Sequence, residues 1–193
     1  MVNTSNFSYA TDLASETFFS AHLKLYNGYA ESFNKITQKR LTEEDLAEAN
    51  AAAGRVRDAK RGESYALAGV LLHELYFENI GNSETYPGPA ALRLIERDFG
   101  GYENFLGKFS AVCLAARGWA VWALNARAGR GEIFLLDAHD DGAVFGSLPL
   151  LAADMYEHAY FGDYGSDKAA YVNKFMTRIR WDAVEERVNS LAQ

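Results

Sequence analysis

Tyr86-Pro87-Gly88-Pro89 is the strongest interruption in the sequence, and the chain differs in kind on its two sides. Two prolines within four residues remove backbone donors and disfavour helix just before them. Upstream, apolar residues recur at helical spacing. Downstream, helical stretches alternate with short runs that read as strands. At 193 residues the length suits two small lobes sharing a core, read here as residues 1–84 and 85–193.

In the first lobe, Ser15, Glu16 and Thr17 open a pattern in which Phe18, His22, Leu25, Tyr29, Phe33 and Ile36 recur at steps of three and four. That is one face of an amphipathic helix, with His22 on it. A histidine on such a face is either a satisfied core residue or a ligand. Thr42 followed by Glu43-Glu44-Asp45 is an N-cap with an acidic first turn. It predicts a helix over Glu44–Lys60 ending near Gly62, and a further helix from Ser64 to Ile80. On the latter, Ala66, Gly69, His73, Tyr76 and Phe77 share a face, and Gly69 leaves room one turn before His73. The pair predicts an antiparallel helical hairpin with one inward histidine on each arm.

In the second lobe, Ala90–Phe99 and Tyr102–Ala115 read as helices separated by Gly100-Gly101. Gly118–Ala126 and Glu132–Ala138 read as strands of a hairpin, and the apolar run Leu148–Ala153 as a third strand leading into Asp154. Asp167–Arg178 and Asp182–Leu191 complete the helices. The fold class is α+β: a long helical hairpin, then a small three-stranded antiparallel sheet flanked by helices.

A net charge of −7 without a basic stripe to neutralise phosphates argues against a nucleic-acid partner. No apolar run is long enough to span a bilayer. Met1 leads into Val2-Asn3-Thr4-Ser5-Asn6 with neither a basic nor an apolar leader region, so a cytoplasmic location is expected. Cys113 is the single cysteine, which excludes an intrachain disulfide and a Cys-rich metal site.

The chain has four histidines: His22, His73, His139 and His158. Asp154 and His158, four residues apart, can reach one cation if a short turn joins them. If His22 and His73 converge there too, the donors are three imidazoles and one carboxylate. That set suits one iron or manganese ion; zinc would bind but stay redox-inert. A mononuclear Fe(II) oxygenase would use two histidines and one carboxylate, so four donors point elsewhere.

Asp154-Met155-Tyr156-Glu157-His158-Ala159-Tyr160, continued by Asp163-Tyr164 and Trp181, resembles the C-terminal signature of the iron/manganese superoxide dismutases. His73-Glu74-Leu75-Tyr76-Phe77 resembles the second-helix ligand motif of that family, and Arg117-Gly118-Trp119 the start of its first strand. The similarity runs through nearly the whole chain in order. It implies one Fe or Mn ion between the lobes, held by His22, His73, Asp154 and His158, with superoxide as substrate. It also implies disproportionation to dioxygen and hydrogen peroxide, with the metal alternating between +3 and +2. A homodimer is implied, in which Glu157 bridges to the partner. The alternative implied function is a relative with a structural role, or a different redox activity at the same metal.

Several positions depart from the family pattern. Aligning the start of the first helix puts Ala21 where the family has its ligand, one residue before His22. His22 and Tyr29 lie seven apart rather than the usual eight, which implies a helix without a one-residue bulge between them. Tyr29 matches the family's gateway tyrosine; otherwise it is a core tyrosine. Tyr26 and Phe161 replace both halves of a contact made across the dimer in many members, and Phe77 and Tyr156 replace tryptophans that wall the metal. His139 falls where the resemblance implies a side chain that hydrogen-bonds the solvent on the metal; the alternative is an exposed loop residue beside Asp140 and Asp141. Lys24, Arg178 and Arg180 could draw an anion inward or be ordinary solvated charges.

Overall fold

The computed structural model describes residues 1–191. Helix α1 (Glu16–Gln38) and helix α3 (Arg55–Asn79) form the long hairpin, with a short α2 (Glu43–Ala47) between them. Helices α4 (Pro89–Phe99) and α5 (Tyr102–Ala115) follow. Strands β1 (Trp119–Asn125), β2 (Arg130–Leu136) and β3 (Ser147–Asp154) come next, then helices α6 (Glu157–Tyr164), α7 (Lys168–Met176) and α8 (Trp181–Ser190). The sheet is antiparallel in the order β2-β1-β3. The α+β reading is therefore correct.

The buried face of α1 is not the one anticipated. Phe19, His22, Tyr26 and Ala30 point inward, whereas Phe18 and Leu25 are exposed. Both stripes have helical periodicity and both contain His22, so its inward position survives the correction. Phe19 meets Phe77 of α3 edge-on, and Tyr26 packs against Phe77 and against Phe7 of the N-terminal segment. Packing across the hairpin thus selects the stripe.

The break between the hairpin helices also differs. The capping box at Thr42 and Asp45 forms as expected, but α2 ends after one turn. The chain then turns at Asn50, whose Oδ1 accepts from the N–H groups of Ala52 and Ala53. Helix α3 starts after Gly54, at φ +116°, and runs straight through Gly62. Gly62 is an approach point instead of a stop: a Cβ there would lie 2.9 Å from Ile36 Cδ1 of α1.

The sheet carries the chain to the site. Trp119 at the start of β1 pairs with Asp154 at the end of β3, and the Met155 N–H donates to the Gly118 carbonyl. Trp119, Trp122 and Trp181 are fully buried, burying large apolar areas in the C-terminal half. Arg187 of α8 ties three elements together by donating to Glu78, Asn79 and the Leu150 carbonyl. Among the described residues no helix is long and apolar enough to cross a membrane.

Candidate metal centre

Asp154 is the last residue of β3, and His158 lies in the first turn of α6. Asp154 Oδ1 accepts from the Tyr156 N–H at 2.9 Å, an Asx-type turn that reverses the chain within two residues. This turn folds His158 back, with its Nε2 at 3.1 Å from Asp154 Oδ2. The four-residue spacing works because it spans a strand end, a turn and a helix start.

The hairpin brings the other two histidines to the same oxygen. His22 Nε2 lies 3.0 Å from Asp154 Oδ2, and His73 Nε2 lies 3.6 Å from it. The potential ligand atoms of His22, His73, Asp154 and His158 all fall within 4.8 Å of one another. Helix α1 is regular α-helix from Glu16 to Gln38, without a bulge between His22 and Tyr29. Ala21, one residue earlier, is exposed.

Tautomers can be read from the hydrogen bonds. The Gly69 carbonyl can only accept, so His73 Nδ1 carries the hydrogen and donates to it at 2.6 Å. His73 Nε2 is then a bare lone pair. It is fully buried and has no hydrogen-bond partner among the described residues. An orphaned acceptor beside a buried carboxylate is costly unless a cation sits there. The four side chains are positioned to hold one metal ion, and the donor set fits iron or manganese.

Electrostatics agree with that fit. Burial pushes His73 down to about 3 and lowers His22, so both are neutral and able to ligate. Burial by itself would raise the Asp154 carboxyl, but the imidazoles of His158 and His22 outweigh it and hold it ionised.

His139 is buried, not an exposed loop residue. Its ring centroid lies 5.6 Å from that of His73, and its Nδ1 accepts from Trp119 Nε1 at 2.9 Å. Its Nε2 is buried without a partner among the described residues. Tyr29 contacts it edge-on, with ring centroids 4.7 Å apart. Gly69 makes this possible, because a Cβ there would stand 3.0 Å from Tyr29 Cγ and 3.3 Å from His139 Cδ2. The room that Gly69 leaves is thus filled by two protein side chains.

The iron/manganese superoxide dismutase C-terminal domain model matches residues 87–187. The chain belongs to the iron/manganese superoxide dismutase family. It is 36% identical over 176 residues to Superoxide dismutase [Fe] of Aquifex aeolicus, covering 89% of this chain and 81% of that protein. With Superoxide dismutase [Fe] of Aquifex pyrophilus the identity is 37% over 178 residues, with the same coverage. Superoxide dismutase [Mn] 1 of Halobacterium salinarum is 32% identical over 171 residues, covering 87% of this chain and 82% of that one.

Within this family frame, the walls of the centre are Phe77, 5.0 Å from His22 between ring centroids, and Tyr156, stacked on His158 at 5.2 Å. Tyr26 turns its hydroxyl to Glu74 Oε1 and accepts from the Ser5 N–H, so it is satisfied within the chain. Arg178 and Arg180 are paired with Asp12 and Asp182 and are therefore not free charges at a funnel. Two residues escaped the sequence reading. The motif that contains Trp119 gives no sign that its indole orients His139. Tyr65 packs on His139 with centroids 4.6 Å apart; its position one turn before Gly69 was the available signal.

Proposed function

We propose that this chain is a superoxide dismutase using one iron or manganese ion held by His22, His73, Asp154 and His158. The observation that carries the reading is the convergence of three imidazole Nε2 atoms on Asp154 Oδ2, with His73 Nε2 left as a buried lone pair. Residues 1–84 would supply His22 and His73 to the ion, and residues 85–193 would supply Asp154 and His158. When bound, such an ion supplies one-electron chemistry, oxidising one superoxide to dioxygen and reducing the next to hydrogen peroxide.

The chain's own residues supply geometry and protons. The Gly69 carbonyl orients His73, and the Tyr156 N–H orients Asp154. Because Trp119 donates to His139 Nδ1, neutral His139 carries its hydrogen on Nε2. That N–H is the candidate donor to solvent in the metal pocket, with Tyr29 beside it. Peroxide formation consumes two protons, so this outer arrangement matters as much as the ligands.

The same reading includes a homodimer. Glu157 is exposed next to His158 and has no hydrogen-bond or ion-pair partner among the described residues. Exposed Phe18, Leu25 and Phe161 provide apolar surface on α1 and α6. A cytoplasmic location accords with the lone, buried Cys113 thiol.

Metal analysis and a superoxide assay on the purified chain test the function together. About one Fe or Mn per chain with dismutation is expected. Folded protein that takes up neither metal would point to the structural role, and metal-loaded protein without dismutation to another redox activity.

A further inference from the structure

Two buried tyrosines from separate helices reach the backbone of Asp154. Tyr171 of α7 is fully buried and places its hydroxyl 3.0 Å from the Asp154 carbonyl oxygen. A carbonyl can only accept, so Tyr171 donates its one hydrogen there. The hydroxyl of Tyr76 on α3 lies 3.1 Å from that of Tyr171, whose hydrogen is already committed, so Tyr76 is the donor between them. The bonds therefore run in one direction, from Tyr76 to Tyr171 to the Asp154 carbonyl. At the other end of the same peptide group, the Met155 N–H donates to the Gly118 carbonyl at 2.7 Å. The peptide plane that follows Asp154 is thus pinned at both polar ends.

Packing alone does not require these hydroxyls. The Tyr76 ring stacks on Phe175 with centroids 6.3 Å apart, and the Tyr171 ring on Tyr160 at 5.4 Å, contacts that phenylalanine would keep. A buried hydroxyl is costly unless it is bonded, so two of them in an apolar core point to the group they serve. Strand β3 is held without them. It pairs with β1 as far as Asp154, and Asn79 Nδ2 donates to the Ala152 carbonyl. What the hydroxyls add is confined to the Asp154–Met155 peptide, where the turn toward His158 begins. Tyr76 also joins that peptide to the helical hairpin: it follows His73 by three residues on α3, and its ring centroid is 5.3 Å from that of His22.

We propose that Tyr171 and Tyr76 are positioning residues whose hydroxyl chain fixes the Asp154 backbone and so aims its carboxylate at the metal. This role rests on the reading of Asp154 as a metal ligand.

Phenylalanine substitutions separate positioning from stability. Tyr171→Phe leaves the Tyr76 hydroxyl buried without its acceptor, so the urea midpoint of the metal-free protein should fall. Adding Tyr76→Phe removes that orphan, and the double variant should recover part of the midpoint. Manganese binding should not recover with it. Competition with a chelator is expected to show Mn(II) bound about tenfold more weakly by Tyr171→Phe and by the double variant alike. The zero-field splitting in the Mn(II) electron paramagnetic resonance spectrum should shift equally in both, because both leave the Asp154 carbonyl without its donor. Tyr76→Phe alone should move affinity and spectrum less. Affinity that recovers together with the midpoint would report a structural role and overturn the proposal. Parental affinity and spectrum in Tyr171→Phe would overturn it as well. Uptake of neither iron nor manganese by the unaltered chain would instead overturn the ligand reading, and the proposal with it.

Discussion

Trp119 Nε1 donates to His139 Nδ1 at 2.9 Å, and this bond decides which edge of the imidazole carries a hydrogen. An indole N–H cannot accept, so neutral His139 must place its hydrogen on Nε2. Burial pushes His139 down to about 4, which keeps it neutral at ordinary pH.

Trp119→Phe keeps an aromatic ring at the start of β1 and removes the donor. Activity is expected to fall about tenfold to a hundredfold, the usual cost of losing an orienting partner. Metal content should stay near that of the parent, because the phenylalanine ring keeps an aromatic wall against His73, which Trp119 meets edge-on with ring centroids 5.0 Å apart. Parallel metal analysis and steady-state rates check this; unchanged activity would refute the tautomer argument.

His73→Ala removes a buried lone pair aimed at the centre. Retained iron or manganese should drop below about a tenth of the parent value. The metal-free variant should keep its helical circular dichroism, since in the absence of a cation His73 Nε2 is an unsatisfied group whose loss costs little. Stoichiometric metal in this variant would sink the ligand assignment.

Gly69→Ala sets two effects against each other. Alanine gains about 1 kcal/mol of helix propensity over glycine. Its Cβ would press on Tyr29 and His139, an overpacking cost of about 1–3 kcal/mol. Tyr29 is half-buried and can move outward, whereas His139 is pinned by Trp119. The melting temperature should therefore change little while activity falls several-fold, about 1 kcal/mol in barrier, as Tyr29 is displaced. Full activity in this variant would show that Tyr29 placement is immaterial.

Metal-free protein should lose stability in mild acid. His22, His73 and His139 are all lowered by burial, the last two to about 3 and about 4, from an ordinary value of 6.5. Their stabilisation is complete above pH 6.5 and is lost as the pH falls toward those lower values, because the unfolded chain takes up protons that the folded chain refuses. Each contributes a slope of about 1.4 kcal/mol per pH unit in that window. His158 is lowered by burial but raised further by Asp154, so its net contribution is present below pH 6.5 and fades above it. Urea unfolding at pH 7 and pH 5 measures the balance; equal midpoints would contradict it.

The helical boundaries show where local reasoning stops. Gly62 resembles a helix terminator because it lacks a side chain, yet its role is to admit Ile36 of α1. The real break, at Asn50–Gly54, is made by side-chain capping and a positive φ within a polar and Ala-rich stretch. Residues within a few positions of each other decide turns and periodicity, but a glycine that serves a neighbouring helix leaves the same mark as one that ends its own.

By itself, the sequence determined the α+β class and the order of helices and strands, and it put His22 and His73 on apolar helical faces and Asp154 four residues before His158. These follow from periodicity, turn chemistry and a scarcity of histidines, all of which are properties of the chain before it packs. Tertiary structure alone decided which stripe of α1 faces inward, because Phe18–Leu25 and Phe19–Tyr26 are equally regular and only Phe77 and Phe7 choose between them. It also decided that His139 is buried, that Trp119 selects its tautomer, and that Tyr65 packs on His139 and Tyr29. Those relationships join residues from separate elements, and only the folded chain brings them within contact distance.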